Sequence, residues 1–297
     1  EMTSSLVGSE MCIRDRYYAG PNQQVANIYP RDYNKGFYEG QQTIGRDGGI
    51  VNLTRCAWAG SQRYGSLVWS GDVGSTFADL RAQITCAIHM GMAGIPWFTT
   101  DMGGFHDGII DSDDFKELLA RWCAFSCFLP VMRNHGDRSL HTATGKETIT
   151  NSAGDHRSPS GADNEPWSYG PEMEQIFRKF IAIREKMRPY TRELFESAHI
   201  DGQPLVRGLF YEFPQDKSVS DIADEYMFGP DILVAPVVEA GARSRKVTLP
   251  GNASITWTDL RTGKVYEGGQ KITVDAGIDT IPAFARDGHD HGLIGML

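Results

Sequence analysis

The sequence predicts an α/β chain: the C-terminal half of a (β/α)8 TIM barrel followed by an antiparallel β-sandwich domain. Three observations carry that expectation. Residues 67–105, LVWSGDVGSTFADLRAQITCAIHMGMAGIPWFTTDMGGF, run as a short apolar strand, an amphipathic helix and a second apolar strand, which is the repeat of a parallel barrel. Acidic residues close both strands, Asp72 and Asp101, and barrel chemistry gathers at the C-terminal strand ends. After Gly202 the texture changes to short β-rich runs between turn residues, the pattern of an antiparallel domain.

Taken in order, residues 1–16 (EMTSSLVGSEMCIRDR) lack the basic, apolar and cleavage regions of a signal peptide and carry no helix or strand period. They resemble a translated sequencing adapter and are read as non-native. Residues 17–202 are assigned to the partial barrel. Aromatic and polar spacing places a helix over 23–40, and IVNLTRC (50–56) reads as a strand ending in Arg55. Residues 67–70 form the next strand. Apolar positions at Phe77, Leu80, Ile84, Ala87 and Ile88 then mark one buried face of a helix over 75–90, with Ser75 as its N-cap. Residues 94–99 are the following strand. A helix over 112–128 opens with Asp113 and Asp114 at its positive end, and 129–134 is the last strand, delivering His135. Residues 136–164 are Gly-, Ser-, Thr-, Asp- and Asn-rich without period, a long loop of the kind that covers sites. The apolar period resumes over 171–198, where Pro189 should interrupt the helix. The sandwich is placed at 203–297, with strands over 204–210, 231–236, 245–248, 255–259 and 271–274.

Composition narrows the function. With 297 residues, 40% hydrophobic and 10% aromatic, the chain can bury a sizeable core. No apolar run is long enough to span a bilayer. The net charge of −9 comes from scattered acids and would repel nucleic acid. Five cysteines, at 12, 56, 86, 123 and 127, show no CxxC pair, and an odd count argues against a full disulfide framework. Cys123 and Cys127 sit among Trp122, Phe125 and Phe128 on the predicted helix and read as core. His106, Asp107, Asp111, Asp113 and Asp114 near Asp101 fit neither an EF-hand loop nor a zinc motif, so no metal is expected.

Four residues, Arg55, Trp69, Asp101 and His135, fall at successive predicted strand ends and would face one cleft with Asp72. Each alone has a bland alternative: a turn aspartate, a barrel salt bridge, a core or loop histidine. Together they suit carbohydrate. Arg is a fork-shaped donor, Asp accepts from paired hydroxyls, and an aromatic ring packs on the C–H face of a sugar.

The wording is specific as well. WSGD (69–72), GIP (94–96) and DMGGF (101–105), with LTRCAWAGSQRYG (53–65), MRNHG (132–136) and EYMFGPDILVAPV (225–237), resemble glycoside hydrolase family 31, which holds α-glucosidases and α-xylosidases. The resemblance implies a retaining α-glycosidase with Asp72 as acid/base. Arg55, Asp101 and His135 would bond sugar hydroxyls and Trp69 would line the same subsite. It also implies a carbohydrate substrate and no required cofactor. Glu165-Pro166-Trp167 resembles the short family segment after the last barrel strand, its bland reading being a turn and a core aromatic. The family nucleophile, an aspartate in a WxDxxE-like strand end, has no counterpart here and is expected upstream of Tyr17. The alternatives are a non-catalytic carbohydrate-binding protein on the same scaffold and, more distantly, a metal-dependent hydrolase. Localisation is not legible.

Overall fold

The computed structural model describes residues 16–46, 48–139, 149–150, 156–157 and 161–297. The expectations for residues 1–15, Cys12 and most of the 136–164 loop lie outside them. The chain divides into two compact units, Glu1–Trp69 and Ser70–Leu297.

In the first unit, Pro30 opens a helix over Tyr29–Thr43, where its missing N–H costs nothing. The strands Asn52–Thr54 and Ser66–Trp69 run parallel, with Thr54 opposite Val68. Asn52 fastens helix to strand. Its amide donates to the Tyr64 carbonyl (2.9 Å), and its Oδ1 accepts from Gln41 (3.0 Å).

The second unit opens with alternating helices and short strands. A helix over Phe77–Met92 is capped by Thr76, not Ser75: the Thr76 hydroxyl accepts from the Asp79 N–H. Ser75 instead gives its backbone N–H to the His106 carbonyl (3.0 Å). The expected 94–99 strand shortens to Phe98–Thr99. Ser112 caps the Asp113–Cys127 helix as the acidic first turn requires. The expected 129–134 strand does not form. Pro130 lacks an N–H to donate, and the Leu129 and Pro130 carbonyls are taken by the Arg184 guanidinium. The parallel partner of Gly108–Ile109 is Arg138–Ser139, inside the segment expected to be loop. Residues 171–198 divide at Met187 into Pro171–Lys186 and Arg188–Asp201, the interruption Pro189 dictates. Alternating strands and helices with parallel pairs make this the C-terminal half of a (β/α)8 barrel.

The remaining chain is a sandwich. One sheet pairs Val206–Gly208, Tyr226–Phe228, Ile232–Val234, Ala283–Arg286, Thr256–Asp259 and Val265–Glu267, in that order and all antiparallel. Ser244–Leu249 pairs Gln270–Asp275 in a second sheet. Met227, Leu233, Trp257 and Phe284 from the first sheet meet Val247 and Leu249 from the second in one buried core. The expected 204–210 strand stops at Gly208, and Leu209–Glu212 turns helical. Tyr226–Phe228, Val265–Glu267 and Ala283–Arg286 were not separately expected.

Candidate active site

Two barrel loops build the site from backbone outward. The Asp72 turn and the loop after Asp101 are zipped together: the Val73 carbonyl accepts from Phe105 (2.7 Å) and His106 (3.1 Å) N–H groups. Gly104, at φ +81°, permits this closeness. A Cβ there would lie 2.4 Å from the Gly74 carbonyl oxygen, so any side chain would separate the loops.

Asp101 follows the Phe98–Thr99 strand and is fully buried (0% exposed). Its Oδ1 is bound by the Arg133 guanidinium. Its Oδ2 is buried with no hydrogen-bond partner among the described residues. A buried carboxylate needs its lone pairs met, so this oxygen can accept a further hydrogen bond.

His135 lies on irregular chain, because the strand expected to carry it does not form. It is solvent-accessible, and its ring sits 5.6 Å from that of Phe105, between centroids. Partial burial, then the charges of Arg133 and Arg138, hold its pKa below the ordinary histidine range, while Asp72 pulls it up. Asp72, Asp101, Arg133 and His135 are thus one constellation. A neutral imidazole beside it can accept or donate one hydrogen bond to a hydroxyl.

Arg55 and Trp69 end neighbouring parallel strands of the first unit. The Thr54–Val68 pairing puts them side by side at the same strand ends, Arg55 exposed and Trp69 half-buried. Ser70, next in the chain to Trp69, has its hydroxyl 3.5 Å from the Asp101 N–H.

Sequence reasoning missed Arg133 and Arg138. Both flank His135 within a few residues, and two arginines around a candidate ligand were the available signal. The bland reading of 165–167 holds for the turn, Pro166–Tyr169, but not for its core aromatic. Trp167 is 66% exposed, and the buried aromatic of that turn is Tyr169. Asp113 and Asp114 serve the helix start. Among the described residues no three His, Cys, Asp or Glu side chains gather as a metal group, and no helix is long and apolar enough to cross a membrane.

Comparison with known proteins accords with this geometry. The glycosyl hydrolases family 31 TIM-barrel domain matches residues 2–153, and the family 31 C-terminal domain matches 202–289. The chain is 36% identical over 276 residues to an α-xylosidase of Saccharolobus solfataricus, covering 93% of this chain and 34% of that one. It is 33% identical over 269 residues to neutral α-glucosidase C of Homo sapiens, covering 90% and 26%. Among solved structures, a family 31 α-xylosidase from a soil metagenome, complexed with xylose, superposes with a TM-score of 0.83 at 48% identity, over 94% of this chain and 40% of that one. The chain therefore spans about a third to two fifths of the α-xylosidases it matches.

Proposed function

The chain belongs to glycosyl hydrolase family 31, and from that premise we propose that it carries the acid/base side of a retaining α-glycosidase acting on α-xylosides or α-glucosides. The observation that carries this reading is buried Asp101, whose Oδ2 has no hydrogen-bond partner among the described residues. A sugar hydroxyl donating there completes the carboxylate's hydrogen bonding, while Arg133 occupies its other oxygen. Asp72, on the loop zipped to Asp101, acts on the glycosidic oxygen. It gives its proton to the leaving oxygen as the C–O bond breaks, then takes a proton from the water that releases the sugar. His135 adds a further sugar contact, and Arg55 and Trp69 are assigned to sugar binding from the family motif alone. An α-xyloside is the first substrate to try, since the relative at 48% identity is an α-xylosidase holding xylose.

Retention also needs a carboxylate nucleophile about 5–5.5 Å from the acid/base, and no residue of this chain is assigned that role. The chain by itself is accordingly expected not to hydrolyse aryl α-glycosides. We place the catalytic barrel at 17–202 and the sandwich at 203–297.

The test is Asp72→Ala in the parent protein that contains this chain. Activity should fall by ~10²–10⁴-fold on disaccharides, whose poor leaving group needs the proton, and less on activated aryl glycosides. Azide should restore part of the turnover by attacking the glycosyl-enzyme without a base. Two successive inversions make the product an α-glycosyl azide. Equal loss on all substrates with no azide effect would remove Asp72 from the acid/base role. Parent protein that binds sugar and cleaves none would leave the carbohydrate-binding alternative.

A further inference from the structure

We propose that Arg138 is the positioning residue of the sugar-binding face: its buried guanidinium locks the Asp101 loop and the His135 segment into one geometry through their backbone carbonyls. The inference rests on the glycosidase reading for what the face binds, but not for how the face is held.

Arg138 is 0% exposed. A guanidinium so deep is ordinarily met by a carboxylate, yet among the described residues every hydrogen bond of this one goes to a neutral oxygen. Nη2 donates to the carbonyls of Met102 (2.8 Å) and His135 (3.4 Å). Nη1 donates to those of Gly104 (2.9 Å), Asp137 (3.4 Å) and Phe105 (3.5 Å). Nε faces Asn164 Oδ1 and the Tyr169 hydroxyl, each at 3.1 Å, and that hydroxyl also bonds Asn164. Below the plane lies the Phe115 ring, 4.9 Å from the guanidinium carbon.

These partners belong to three separate stretches of chain: 102–105 behind Asp101, 135–137 at His135, and 164–169. One rigid fork thus fixes the spacing of Asp101 and His135 without reaching the sugar. The surroundings are shaped for it. A Cβ on Gly136 would lie 2.3 Å from the guanidinium carbon, so the chain passes there only because that residue has no side chain. Lysine cannot substitute. It offers a point charge with three donors where a planar fork with five spans the carbonyls. The Arg138 charge also helps keep His135 neutral, together with Arg133 and against Asp72.

The experiment compares Arg138→Lys and Gly136→Ala with the parent protein. The second variant keeps the arginine but pushes it out of place. Amide hydrogen exchange read by mass spectrometry should quicken about tenfold over 102–106 and 135–137 in both variants, with no change over 226–228 and 232–234 in the sandwich. On an aryl α-glycoside, kcat/KM should fall by ~10–100-fold, chiefly through a raised KM, because the sugar contacts are misplaced while Asp72 is intact. Exchange that stays at the parental rate in those loops, or quickens evenly through the protein, overturns the inference, as does a fall in kcat at constant KM. If the parent protein cleaves no glycoside, the functional reading fails and the exchange measurement alone still decides Arg138.

Discussion

The helices Tyr29–Thr43 and Asp113–Cys127 are both 15 residues long, and each follows from a recognisable start and an apolar period. Their burial could hardly differ more. The second buries eleven residues, from Phe115 through Cys127, and packs on the Pro171–Lys186 helix. The first buries only Asn34. Tyr29, Tyr33 and Phe37, an i, i+4 stripe, stand exposed and meet one another, the first pair stacked at 6.1 Å between centroids and the second tilted at 4.9 Å. Local spacing makes a helix; a facing surface makes a core. Helical propensity alone contributes little to either, so their stabilities should respond to the same kind of mutation by different amounts.

The largest effect should come from Phe125→Ala. Its ring is fully buried and meets Tyr226 of the sandwich edge-on at 6.1 Å. Removal should cost about 3–5 kcal/mol, measured by urea unfolding. A loss under 1 kcal/mol would mean that this helix is no better packed than the other.

Arg121→Met should follow closely. The side chain is a buried cation whose hydrogen bonds go to carbonyls, Ala242 and Gly277 at 2.7 Å, Ala276 at 3.1 Å and Thr280 at 3.4 Å, with the Glu117 carboxylate at 3.7 Å. Burial lowers its pKa to about 10, still charged at neutrality. Met restores the volume and abandons the carbonyls, each a penalty of about 1–3 kcal/mol when left unmet. Some will re-pair, so a net loss of about 2–4 kcal/mol is expected in the same titration. A neutral outcome would show the barrel-to-sandwich contact to be carried by apolar packing alone.

The same contrast explains what the sequence could and could not disclose. Helices with an apolar period, Pro189's interruption and the strand-rich second domain were legible because each is written locally. So were Asp72 and Asp101 as polar ends of apolar strands. The 129–134 strand was misread because its apolar run matches a strand, while the competing claim on its carbonyls comes from Arg184, half a hundred residues on. Which aromatic of Pro166–Tyr169 is buried was unreadable for a similar reason: a four-residue turn has no period from which to read a face. Arg133 and Arg138 escaped because their importance lies in partners brought by the fold. Nothing in the spelling of MRNHGDR says which arginine meets a carboxylate and which meets carbonyls.

The smallest expected effect tests the comparison from its other side. Phe37 is 53% exposed and touches Tyr33 along the helix surface. Phe37→Ser exchanges one residue of modest helix propensity for another. It gives up part of one solvent-facing aromatic pair, so unfolding free energy should fall by less than about 1 kcal/mol. The exposed apolar stripe is also the kind of surface that associates in water. The serine variant of this chain should therefore stay monomeric to higher concentration in sedimentation velocity. A loss near 3 kcal/mol would require Phe37 to be covered in solution, and the contrast between the two helices would disappear with it.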